Sequence, residues 1–121
     1  MFDDRSPIYR QIAEHIKAEI LSGELAEDSQ VMSTNQYAAA YRINPATAAK
    51  GLRQLIDDGI LYKRRGIGMF VSPDAHDKLR TASRDRFFDD VVDPMVEQAL
   101  TIGIPLDDVV EHIQRKDGKS T

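Results

Sequence analysis

Two helix-start signals stand eleven residues apart near the middle of the chain, and they leave little freedom for what lies between them. Ser33-Thr34-Asn35-Gln36 reads as a capping box, with Ser at the cap and Gln three residues later. Asn44-Pro45 reads as a second start, since Asn44 can cap free backbone N–H groups and Pro45 sits at the first helical position, where no donor is needed. The interval holds one short helix, through Tyr37, Ala38 and Ala39 to about Tyr41, and a tight turn at Arg42-Ile43. The second helix runs to Gly59, a stop signal. A short helix, a tight connection and a second helix make a helix-turn-helix pattern.

The second helix has two faces. Ala48, Leu52, Leu55 and Ile56 fall on one side at helical spacing, while Ala46, Thr47, Lys50, Arg53 and Gln54 fall on the other. The polar face is short at its entry end and basic or amide-bearing further along. Such a surface can approach a nucleic-acid groove, bonding phosphates with Lys and Arg and bases with Arg or Gln. After Gly59, Ile60-Leu61-Tyr62-Lys63 and Met69-Phe70-Val71 are β-prone runs flanking Arg64-Arg65-Gly66-Ile67-Gly68, which predicts a hairpin with a basic tip. A hairpin directly after a recognition helix is the wing of a winged helix, and Arg64 and Arg65 could reach the backbone or minor groove beside it. The plainer reading of Lys63-Arg64-Arg65 is a solubilising turn, and the glycines serve tight turns under both readings.

Upstream, Ser6 is expected to cap a first helix with Pro7 in its first turn. Its stripe is Ile8, Ile12, Ile16 and Ile20, and Ser22-Gly23 ends it. Val31-Met32 could form a brief strand. Ser72-Pro73-Asp74 marks a break, after which the chain turns helical again. Phe88, Val91, Val92, Met95, Val96, Ala99 and Leu100 keep helical spacing across Pro94, so a kink or a fresh start capped by Asp93 is expected there. After Gly103 a last amphipathic helix carries Leu106, Val109, Val110 and Ile113. Asp107 and Asp108 lie in its first turn and Arg115 and Lys116 in its last, matching the helix dipole. Lys119-Ser120-Thr121 is expected to fray. These last two helices hold too few apolar residues to form a domain alone, so they must bury their stripes against the winged helix or another chain. A second copy related by a two-fold is the simplest partner.

A net charge of −4 is unsuited to a DNA binder unless the positive charge is concentrated on one surface. Residues 1–73 carry nine basic and nine acidic groups, so the whole excess lies in 74–121; within 42–65 the count is six basic against two acidic. Positive charge is thus concentrated beside the proposed recognition helix. With 121 residues and no Cys, the chain supports one domain with an appendage, and no disulfide, thiolate metal site or Cys nucleophile. No apolar run approaches the roughly 20 residues that span a bilayer. Met1-Phe2-Asp3-Asp4-Arg5 lacks the blocks of a signal peptide, so a cytoplasmic protein without membrane contact is expected. His15, His76 and His112 are scattered, and Gly66-Ile67-Gly68 lacks the rest of a dinucleotide fingerprint. No enzymatic activity, cofactor or metal is expected.

Pro7-Ile8-Tyr9-Arg10-Gln11-Ile12, Ile20-Leu21-Ser22-Gly23-Glu24-Leu25, Asn44-Pro45-Ala46-Thr47, Leu55-Ile56-Asp57-Asp58-Gly59-Ile60-Leu61 and Arg64-Arg65-Gly66-Ile67-Gly68-Met69-Phe70-Val71 together resemble the GntR family of bacterial transcription regulators, over roughly residues 6–72. The two-helix C-terminal part and the Asn-Pro-x-Thr opening are similar to its YtrA-type branch. The resemblance implies a homodimeric winged-helix repressor on an inverted-repeat operator. By position it places DNA contacts at Ser33 and Asn35, at Asn44, Ala46, Thr47 and Lys50, and at Arg64, Arg65, Gly66 and Gly68. Arg53 joins them as a phosphate contact on the residue pattern of the helix. Val31-Met32-Ser33-Thr34-Asn35-Gln36-Tyr37 departs from the usual Leu-Pro-Ser-x-Arg-x-Leu, and Ala49 stands where an arginine is common. Two charge-assisted contacts to DNA are therefore missing, so either the operator differs or Lys50 and Arg53 supply phosphate contacts instead; modest, salt-sensitive affinity is expected, each lost phosphate contact lowering the salt slope by about one unit.

The expected architecture is mainly α with a small β-hairpin: a winged helix-turn-helix over 1–73, then two C-terminal helices over 74–121 that form the dimerisation region. Dimer contacts are expected from Phe88, Val91, Val92, Met95, Val96, Ala99, Leu106, Val109, Val110 and Ile113. The expected partners are double-stranded DNA and a second copy; a small-molecule effector of unknown identity could act between the C-terminal helices of two subunits. The alternative is a winged helix used as a protein-interaction module without sequence-specific DNA binding.

Overall fold

The computed structural model describes residues 2–118, so the tail at 119–121 lies outside the described residues. The chain divides into two compact units, Met1–Thr81 and Ala82–Thr121.

In the first unit, helix α1 (Ile8–Ser22) buries Ile12, Ala13, Ile16 and Ile20. Ile8, at its first residue, stays 41% exposed. The helix starts one residue later than a Ser6 cap would place it. Pro7 holds the cap position, its carbonyl accepting from the Arg10 and Gln11 N–H groups, while the Ser6 carbonyl accepts from Gln11 Nε2. Gly23, in the left-handed conformation, closes the far end. Helix α2 (Thr34–Tyr41) begins with the full capping box: the Ser33 hydroxyl accepts from Gln36 N, and Gln36 Oε1 accepts from Ser33 N. Helix α3 (Pro45–Asp57) opens with Asn44 Oδ1 accepting from Ala46 N. Between α2 and α3 the chain turns through Arg42, a non-glycine residue at φ 55°, ψ 52°.

Strands β1 (Leu61–Arg64) and β2 (Gly68–Val71) pair antiparallel, Leu61 opposite Val71 and Arg64 opposite Gly68. The segment before α2 lies along the free edge of β2. Asp28 N donates to Val71 O, Val71 N to Ser29 O and Val31 N to Met69 O, with an isolated bridge between Gln30 and Phe70. The brief extended stretch is thus centred on Gln30, just before Val31-Met32. One core unites α1, α2, α3 and the hairpin with Ala75 and Leu79, the first two turns of helix α4 (Ala75–Phe87). The first unit therefore reaches past the composition break at Ser72-Pro73-Asp74.

In the second unit the chain stays helical through Pro94 and does not start afresh with an Asp93 cap. A π-helical turn, Phe88–Val92, runs directly into α5 (Asp93–Thr101), with Asp93 N donating to Phe88 O five residues back and no cap bond from the Asp93 side chain. Proline supplies no N–H and its ring presses on the carbonyl four residues earlier, and a widened turn accommodates both defects. Gly103 turns the chain at φ +79°, and α6 (Leu106–Lys116) follows Pro105. A groove of about 480 Å³ between α5 and α6 is lined mainly by Met95, Ala99, Ile102, Ile104, Val109 and Ile113.

Candidate nucleic-acid interface

The burial pattern of α3 fixes its outward face. Ala48, Gly51, Leu52 and Leu55 are buried, so Ala46, Lys50, Arg53 and Gln54 face solvent, with Thr47 half-buried. Gly51 lets α1 lie close against this helix: a Cβ there would meet the Tyr9 carbonyl oxygen at 2.8 Å. That approach brings the Tyr9 ring beneath Lys50, whose ammonium lies 4.2 Å from the ring centroid. Tyr9, Ala46, Thr47 and Lys50 line one shallow cleft. Gln54 is spent within the helix, donating to both carboxylate oxygens of Asp58 at 3.2 and 3.3 Å.

A second cleft, of about 320 Å³, brings the start of α2 opposite the hairpin. Ser33, Thr34, Asn35 and Gln36 line one side, and Lys63, Ile67 and Gly68 the other. A helix N-terminus facing a lysine favours an anion. At the hairpin tip Ile67 N donates to Arg64 O, and Gly66 takes φ +77°. Arg65 and Gly66 are exposed at this turn. Arg64 leans back along the strand, its guanidinium 5.1 Å from the Phe70 ring centroid. Asn44 is exposed, its side-chain oxygen engaged as the cap of α3.

Basic residues outside 42–65 divide between paired and unpaired. Arg5 pairs with Asp3, Lys17 with Glu14, Lys78 with Asp74, Arg80 with Asp77 and Arg115 with Glu111. Arg10, Arg84 and Arg86 have no carboxylate within 4.0 Å among the described residues. Among the described residues, none of Arg42, Lys50, Arg53, Lys63, Arg64 and Arg65 has a carboxylate within 4.0 Å. A cation without an ion pair has none to break when it meets a phosphate, so these six groups are available to a polyanion, with Lys50 and Arg64 resting on aromatic rings.

Of the residues expected at this surface, Ser33 and Asn35 share a cleft with Gly68, and Ala46, Thr47 and Lys50 share another. Arg53 and Arg65 stand exposed. Two residues that residue pattern alone does not point to also belong here. Tyr9 lies beside the apolar stripe of α1, yet its ring underlies Lys50. Gln30 reads as loop, yet its amide donates to Ile67 O at the hairpin tip. Neither carries a local signal, because each meets its partner only once the chain has folded.

The second unit presents apolar surface. Among residues 82–118 only Ala99 is buried, while Phe88, Val91, Met95, Leu106, Val110 and Ile113 are exposed and Val92, Val96 and Val109 half-buried. His15 lies 3.4 Å from Glu19, His76 Nε2 lies 3.2 Å from Leu21 O, and His112 borders the α5–α6 groove. Among the described residues no group of three or more His, Asp or Glu could hold a metal ion, and no helix is long and apolar enough to cross a membrane.

Comparison with known proteins agrees with this geometry. The chain is 41% identical to the HTH-type transcriptional repressor NagR of Bacillus subtilis over 66 residues, 54% of this chain and 27% of NagR. It is 33% identical over 75 residues to the repressor YtrA of the same organism, covering 60% of this chain and 58% of YtrA. This chain thus spans about a quarter of the first relative and somewhat over half of the second. A GntR family transcriptional regulator from Listeria monocytogenes shares the fold across 94% of this chain and 98% of its own, with a TM-score of 0.76 at 23% identity. The AraR DNA-binding domain in complex with operator ORX1 matches 60% of this chain and 93% of its own, with a TM-score of 0.56 at 26% identity. The profile of the gntR family of bacterial regulatory proteins matches residues 8–71, more than half of the chain, and the chain belongs to that family.

Proposed function

We propose that the protein is a cytoplasmic transcriptional repressor that binds an inverted-repeat operator as a homodimer. The first unit contacts DNA, with α3 in the major groove and the hairpin alongside as a wing, and the second unit holds the two copies together. Half-sites then lie about one helical turn apart, roughly 10 base pairs centre to centre. The observation that carries this reading is the run of six cations over 42–65, none paired with a carboxylate among the described residues. The operator complex of AraR and the repressor names of NagR and YtrA support it.

The exposed apolar surface of 82–118 supports the dimer. Buried apolar side chains stabilise by roughly 1.5–3 kcal/mol each, and one buried alanine cannot hold forty residues together. A second copy covering Phe88, Val91, Met95, Val110 and Ile113 supplies the missing burial. A small-molecule effector would act by favouring one of two dimer geometries.

A titration of the protein against its own upstream region and against random duplex, at fixed salt, tests the DNA reading. Tighter binding to the upstream region is expected. Equal binding to both would favour a protein-interaction module. For the dimer, Phe88→Asp is expected to elute as a monomer on a sizing column with light scattering, and a surviving dimer would place the interface elsewhere.

A further inference from the structure

We propose that Gln30 is a positioning residue for the wing, holding the basic hairpin tip at a fixed attitude to the start of α2. The inference rests on the DNA-binding reading above. β1 and β2 pair over four residues each, and a two-stranded ribbon of that length is marginal by itself. The edge segment steadies β2 through the bonds of Asp28, Ser29 and Val31, and these all fall on Met69 or Val71. None reaches the tip. Among the described residues, the bond from Gln30 Nε2 to Ile67 O, 3.1 Å, is the hydrogen bond that joins residues 65–67 to anything outside the hairpin.

The site is fitted to this bond. The Gln30 backbone is bridged to Phe70, and its side-chain amide reaches the Ile67 carbonyl. Gly68, at φ +147°, leaves the space the amide occupies, since a Cβ there would lie 2.5 Å from Gln30 Nε2. Three residues on, Ser33 caps α2. One short segment therefore holds the tip carrying Arg65 at one end and the α2 N-terminus at the other. Those two elements face each other across the cleft that Lys63 borders. A duplex engaging both at once needs their spacing set beforehand, because ordering a loose tip on binding costs affinity.

Gln30→Met keeps the length of the side chain and removes the donor. Gln30 is exposed, so the variant is expected to fold, and an unchanged melting temperature checks this. In the free protein, backbone amide relaxation at 65–67 should move from rigid values near 0.85 toward below about 0.6. Binding to the upstream region should weaken about five-fold, the effect of one net hydrogen bond. In an Arg64→Ala/Arg65→Ala background the same change should have no effect on binding, because Gln30 acts through the tip. A tip that stays rigid in Gln30→Met overturns the proposal, as does an equal loss of binding with and without the arginines. A looser tip with unchanged affinity overturns the link to DNA. If the wild-type protein bound no duplex, the DNA-binding reading would fall, while the relaxation data would still decide whether Gln30 holds the tip.

Discussion

Gly51→Ala sets two opposing effects against each other, and the structure decides the sign. In an exposed helix interior, Gly to Ala stabilises by about 1 kcal/mol because alanine loses less backbone freedom on folding. At Gly51 the new methyl would lie 2.8 Å from the Tyr9 carbonyl oxygen and 3.6 Å from Ile12 Cβ. The nearer neighbour is α1 backbone, which no rotamer change can move. Helix α1 must shift by roughly half an ångström, and with Ile12, Ile16 and Ile20 fully buried in the core that shift is resisted along its length. Overpacking of this kind costs roughly 1–3 kcal/mol. The net expectation is a loss of about 1 kcal/mol, or a melting temperature lower by roughly 4–8 °C for a unit of this size. Urea unfolding of wild type and Gly51→Ala at one protein concentration measures it, the concentration being fixed because dimerisation adds to apparent stability. Operator binding should weaken in parallel, since a displaced α1 carries the Tyr9 ring away from Lys50. A variant more stable than wild type by about 1 kcal/mol would show that the close approach at Gly51 is wrong.

Three further outcomes follow from single residues. Arg42 sits in the left-handed region, where a β-branched side chain is strained, so Arg42→Val should lose roughly 1–2 kcal/mol while Arg42→Gly should not; equal stability of both in denaturant melts would contradict the turn geometry. Burial, with Glu19 and Tyr41 nearby, pushes the Tyr37 phenol from 10 up to about 12. Below pH 10 folded and unfolded chains both keep the proton; between 10 and 12 the unfolded chain ionises first, so this group lowers stability as pH rises by up to roughly 1.4 kcal/mol per unit, a contribution that Tyr37→Phe should lack. Parallel stability–pH curves for the two proteins would refute this. Tyr9→Leu removes the ring beneath Lys50, an interaction of about 0.5–1 kcal/mol at an exposed site, and should weaken operator binding two- to five-fold. Lys50→Ala should weaken it further and flatten the salt dependence by about one unit for each phosphate no longer neutralised, and binding unaltered in both would remove Lys50 from the interface.

The parts of this fold that could be read from sequence are those settled by neighbours in the chain. The Ser33–Gln36 capping box, the Asn44 cap and the left-handed glycines after α1 and α3 are decided within four residues. Where two local solutions lie close in energy, the sequence did not choose. Pro94 could have kinked the helix or ended it; the chain stays helical and widens the turn before it. Ser6 could have capped α1, but the Pro7 carbonyl closes the first turn while the Gln11 side chain takes the carbonyl of Ser6. Tyr9 and Gln30 were illegible for a different reason: their partners lie far along the chain, 37 residues away for Gln30, and only the packing of α1 on α3 and of the edge segment on β2 brings them together.

The charge of the interface shows how the two kinds of information combine. The sequence places six basic residues in 42–65, but Asp57 and Asp58 lie within the same stretch and nine acidic groups in the first 73 residues could have neutralised them on folding. The fold directs several of those carboxylates elsewhere. Asp58 takes the Gln54 amide, Asp28 accepts from the Tyr62 hydroxyl, Asp3 holds Arg5 and Glu14 holds Lys17. Pairing, not count, separates a cation that stabilises its own chain from one available to a phosphate. An acidic chain can therefore present a positive surface, provided its folded contacts leave that surface unpaired.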